Sequence, residues 1–142
     1  MARVRPESPY LNLQFSIISW IALPTVMFGG YSLLGLMARG NAWLTPFRAT
    51  YFRAGHAHAG VLLVVSLLYY TYLAQTTFSS GLKLVACIVL LIGVLAQSGG
   101  FFLHMLAGKP GRLSAGNIVT IIGALLLAFA ALLLAYGLIV RS

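Results

Sequence analysis

Most of the chemistry open to this chain resides in three imidazoles, His56, His58 and His104. Neutral imidazole ligates metal ions and serves as an axial ligand of haem iron. Two histidines from neighbouring antiparallel helices could hold a haem b. Three could bind copper or zinc and leave one position open. The alternative is that these rings make only polar contacts, to other side chains or to lipid headgroups.

Other reactive groups are few. The single cysteine, Cys87, excludes an internal disulfide and a CxxC site. Its place inside an apolar run reads as a small buried side chain. There is no aspartate, so no Ser-His-Asp triad can form, and Glu7 is the only acid. No carboxylate lies within an apolar run, which weighs against proton-coupled transport. No glycine-rich phosphate loop follows a strand. The chain is expected to have no catalytic activity of its own.

The elements that carry the histidines follow from composition. Of 142 residues, 61% are hydrophobic and 7% charged. Soluble domains average about 25% charged residues, so the bilayer must be the solvent for most of this chain. Four apolar runs are each long enough to cross about 30 Å of hydrocarbon. They cover about 13–37, 52–75, 82–106 and 115–140. The expected fold is an all-α integral membrane protein. It is a four-transmembrane-helix bundle, a single domain, with both termini on the same side. The basic start, with Arg3 and Arg5, precedes a run too long for a signal peptide, so it reads as a retained first helix. Pro24 lies inside that helix, where it frees a carbonyl and favours a kink.

The connections have distinct chemistry. Segment 38–51 carries Arg39, Asn41, Trp43, Pro46, Arg48 and Tyr51, which suits a short interfacial stretch. Segment 76–81 is a tight polar turn. Gly108-Lys109-Pro110-Gly111-Arg112 is turn chemistry, with Ser114 placed to cap the last helix. Tyr69, Tyr70 and Tyr72 read as an aromatic belt at the far face.

Topology turns these runs into a map. The face holding the termini is called face A, and the opposite one face B. His56 and His58 open the second helix and His104 closes the third, so all three lie near face B. Gly93, Gln97, Gly100 and His104 recur at steps of four, three and four. They form one helical stripe of small and polar residues, which predicts that His104 faces protein. His56 and Gly60 share a face. His56 and His58 diverge by roughly 200°, so one of them is expected to join His104. Gly29, Gly30, Gly60, Gly99, Gly100 and Gly123 lie in one layer roughly 10 Å from face B. That layer could leave room for a flat ligand or let helices pack closely. For a haem, Gly60 and Gly100 would give clearance, Gln97 could bond a ligand's second nitrogen, and Arg53 or Arg112 would meet the propionates.

Nine Lys or Arg are scattered where the apolar runs break. A nucleic-acid binder would cluster them on a polar face, so they read as interfacial anchors that attract anionic lipids. Face A holds four and face B five, which gives no positive-inside bias. Thr120, Ala124, Ala128, Ala131 and Ala135 form a small-residue stripe on the last helix, expected to pack inside the bundle or against a partner subunit.

The function expected is that of a non-catalytic accessory or anchor subunit of a larger membrane complex. Its partners would be the lipid bilayer and other membrane subunits or a second copy of itself. The site would be the cell membrane. The alternative is a haem-, copper- or zinc-binding membrane protein with His56, His58 and His104 as ligands, active in electron transfer.

Overall fold

The computed structural model describes residues 10–141. Segment 1–9, with Arg3, Arg5 and Glu7, lies outside the described residues. Four helices follow one another: α1 (Tyr10–Ala38), α2 (Pro46–Leu73), α3 (Ser80–Ala107) and α4 (Ala115–Ile139). Each is long and apolar enough to cross a membrane. No strand occurs among the described residues. The protein is an all-α, multi-pass membrane protein.

Capping explains three of the starts. Thr45 accepts the Arg48 amide, and Pro46 occupies the first helical position, where its missing N–H costs nothing. Ser79 accepts from the Leu82 amide. Ser114 forms a reciprocal capping box with Asn117, as its position after the Gly-Lys-Pro-Gly turn predicts. The start of α2 differs from the sequence expectation by six residues. Tyr51, Arg53 and Arg48 belong to its first two turns, so the interfacial connection shrinks to 39–45. A helix end in the headgroup layer needs no apolar residues, so hydropathy misses it. α1 continues through Pro24.

The helices stand as a row folded on itself. α1 packs on α2, α2 on α3 and α3 on α4, with smaller contacts of α2 with α4 and α1 with α3. Among the described residues, the backbones of α1 and α4 do not approach each other, so the bundle is open along one seam. Its main core lies toward face A, where Tyr69, Tyr70, Leu73, Cys87, Leu90 and Val94 cluster with Ala130. Tyr69 and Tyr70 are thus core residues and not belt residues. The Tyr69 hydroxyl donates to the Ala130 carbonyl at 3.1 Å. Only Tyr72 of the three faces outward. Cys87 is fully buried, and its thiol approaches Asn12 Oδ1 at 3.7 Å.

The α3–α4 seam is the closest approach. On α4, the buried residues are Gly116, Gly123, Ala130 and Gly137, one every seven residues. A methyl group on Gly100 would fall 2.6 Å from the Gly116 carbonyl oxygen, and one on Gly123 would fall 2.7 Å from Gln97 Cα. Backbone meets backbone there, the usual reason for small residues between membrane helices.

Candidate functional site at face B

The structure keeps all three histidines at face B and sends each to a different neighbour. His104 is the most enclosed, at 2% exposure. The spacing predicts that His104 faces protein, and its place on the Gly93–Gln97–Gly100 stripe turns it onto α4. Its Nδ1 lies 2.7 Å from Ser114 Oγ. That oxygen also accepts the Gly116 amide at 3.2 Å and lies 3.3 Å from Asn117 Oδ1. The histidine therefore extends the capping box of α4. Tyr51 and Phe47 close over the ring edge-on, with centroids at 4.3 and 5.3 Å. The end of α3, the start of α4 and the start of α2 meet at this one imidazole.

His58 faces the α2–α3 boundary. Its Nδ1 lies 2.8 Å from the Ala54 carbonyl oxygen. A carbonyl only accepts, so Nδ1 carries a proton, and Nε2 is the nitrogen left for another partner. The ring packs on Phe101 at 4.7 Å, and with Ala57, Val61 and Leu62 it borders an outward cavity of about 190 Å³. Phe101 in turn neighbours Tyr51 at 6.5 Å, so a file of rings connects His58 with His104.

His56 turns the other way, onto α1. Its ring lies in a notch left by Gly29 and Gly30. A methyl on Gly30 would fall 2.7 Å from Nε2, and one on Gly29 3.8 Å from Nδ1. Among the described residues, His56 has no hydrogen-bond partner. Gly60, one turn deeper, faces Val26 of α1.

The expected cluster is therefore not gathered at one point. Among the described residues, no group of three His, Cys, Asp or Glu side chains is placed to hold a metal ion. The glycine layer is mostly filled, with Gly99 alone of its members facing open space. Gly100 and Gly123 are closed by the facing backbone, and Gly30 by the His56 ring. Gln97 makes no hydrogen bond to a histidine among the described residues. Its backbone packs on Gly123 instead. The residues that sequence reasoning missed are Ala54, Ser114, Phe47, Tyr51 and Phe101 as histidine neighbours. Only Ser114 carried a local signal, as a helix cap.

Face B is also strongly cationic. Arg39, Arg48, Arg53, Lys109 and Arg112 lie there, and no acidic side chain occurs among the described residues. Arg48 is held internally. Its guanidinium lies 4.9 Å from the Trp43 ring, and it donates to the Trp43 carbonyl at 3.0 Å. Comparison with family models, curated proteins and solved structures finds no match to this chain.

Proposed function

We propose that this chain is a non-catalytic subunit of a larger complex in the cell membrane. The observation that carries the reading is the outer surface of α4. Ala124, Ala128, Ala131 and Ala135 are exposed, on the side away from the glycines that pack on α3. The sequence expected this stripe to serve internal packing or a partner. Thr120, its first member, packs on Gly100 of α3, while from Ala124 onward internal packing uses a different face. A smooth small-residue strip turned to lipid lets another helix approach closely, and such strips are common between membrane helices. The open α1–α4 seam adds a second unpaired border. The scattered cations would anchor the chain against anionic lipids.

The test is Ala128→Phe in the native membrane. Ala128 is exposed, so the fold should persist. The complex extracted in mild detergent should shrink on native electrophoresis, with the freed subunit appearing alone. An unchanged complex in the variant would sink the assignment to this face.

A second reading, a haem b or a copper or zinc site, rests on His58. Its Nδ1–H is committed to a backbone carbonyl, the arrangement that orients a ligating imidazole and points Nε2 at a metal. The remaining ligands would come from a partner, because His56 turns onto α1 and His104 onto α4. An absorption spectrum and metal analysis test it. Near-stoichiometric metal or a Soret band that disappears in His58→Ala supports the reading. Metal-free, colourless wild-type protein from native membranes removes it.

A further inference from the structure

The corner where α1 ends and α2 begins differs from the rest of face B. Two adjoining grooves open there. One, of about 350 Å³, is bordered by Leu36, Met37, Asn41, Leu44, Ala49 and Arg53. The other, of about 480 Å³, runs along α1 past Phe28, Tyr31, Ser32 and Gly35 to Arg39. Leu36 borders both. The combination is apolar along the helix and cationic at its end.

Among the described residues, nothing neutralises either Arg39 or Arg53. Arg53 meets only the Met37 sulfur, at 3.5 Å, and Arg39 has no side-chain partner among the described residues. No carboxylate exists among the described residues to pair with either. The chain direction is fixed here by Gly40, whose φ of 57° suits glycine and ends α1 sharply. Trp43, 40% exposed beside the turn, is a residue type that suits headgroup depth. Deeper on α1, a side chain on Gly35 would meet nothing within 4 Å, which leaves a shallow trough beside the Tyr31 ring.

A polar anion in solution would gain from the two guanidiniums and nothing from the trough. A zwitterionic lipid would gain from the trough, but its own ammonium would offset the attraction of its phosphate to the guanidiniums. We infer that this corner is a binding site for one anionic phospholipid, with its phosphate at Arg39 and Arg53 and an acyl chain along the Gly35 trough. The inference rests on the proposed attraction to anionic lipids and adds a place and a geometry to it. Guanidinium donors bind phosphate in charge-assisted pairs that lysine matches less well.

The test uses the full chain in detergent, titrated with equal amounts of dioleoyl phosphatidylglycerol and dioleoyl phosphatidylcholine, and read by native mass spectrometry. One phosphatidylglycerol should bind ahead of any phosphatidylcholine. Arg39→Gln and Arg53→Gln should each weaken it about fivefold. Lys109→Gln and Arg112→Gln, on the α3–α4 loop outside both grooves, should change it less than twofold. Gly35→Leu fills the trough without altering charge or endangering the helix, and should also weaken binding. Equal losses at all four cations would overturn the site and leave only diffuse attraction. No preference for phosphatidylglycerol would overturn both the site and the attraction. Displacement of the lipid by inorganic phosphate would make the corner a phosphate site and contradict the inference.

Discussion

Two seams of this protein use the same two residue types, glycine and histidine, to opposite ends. At the α3–α4 seam, Gly100, Gly116 and Gly123 bring backbone against backbone, and His104 is tied to the Ser114 cap. At the α1–α2 seam, Gly29 and Gly30 admit the His56 ring, which has no hydrogen-bond partner among the described residues. The first seam has no spare volume. The second is closed by a side chain that can move. A glycine in a membrane helix therefore says that something comes close, and the neighbour decides whether the contact is rigid or adjustable.

The largest effect should come from the rigid seam. Gly123→Val places a side chain against the backbone of Ala96 and Gln97, which cannot rotate away. A loss of about 3 kcal/mol is expected, measured by unfolding in mixed SDS micelles. A loss below 1 kcal/mol would mean that the seam can open, and would remove the contrast.

Next comes the His104–Ser114 tie. His104→Ala should cost about 2 kcal/mol, through lost ring packing and a lost hydrogen bond. Ser114→Ala should cost about 1 kcal/mol as a missing cap. In a double-mutant cycle the two should be sub-additive by about 1 kcal/mol. Full additivity would separate the histidine from the cap.

The adjustable seam should respond less. Gly30→Ala must displace the imidazole, at an expected cost of about 1 kcal/mol. Adding His56→Ala should relieve that clash, so that Gly30→Ala costs less in the His56→Ala background than in wild type. Equal costs in both backgrounds would show that the ring does not fill the notch.

The smallest effects separate two neighbouring tyrosines in the face A core. Tyr69→Phe removes a bond to the Ala130 carbonyl and should cost about 0.6 kcal/mol, typical of interhelical bonds in membranes. The Tyr70 hydroxyl is fully buried beside the Ser19 and Ser66 hydroxyls, neither of which meets it in good hydrogen-bond geometry. Tyr70→Phe should be neutral or stabilising, because it removes a desolvated group and no bond. A clear loss would show that the hydroxyl bonds Ser19 or Ser66.

The helices were legible in the sequence because bilayer thickness demands four long apolar runs. The inward face of α3 was legible as well, since glycine, glutamine and histidine at helical spacing stand out among leucine and valine. The start of α2 was not, because Arg48, Tyr51 and Arg53 belong equally to a loop and to a helix end among headgroups. The histidine neighbours were not, because they depend on how each helix is rotated about its axis. α1 is apolar all round, so nothing in its pattern says which face meets α2. The sequence also placed Tyr69 and Tyr70 at the surface. Aromatic residues near a helix end suit both a belt and a core, and only packing against Cys87 and Ala130 decides between them.

The central claim is that this chain acts as a subunit, and the native mass of the particle extracted gently from its own membrane tests it most directly. The account predicts a mass above that of the single chain, reached with fixed stoichiometry by another polypeptide or a second copy. A single chain carrying a haem or metal adduct, with no protein partner, would contradict it.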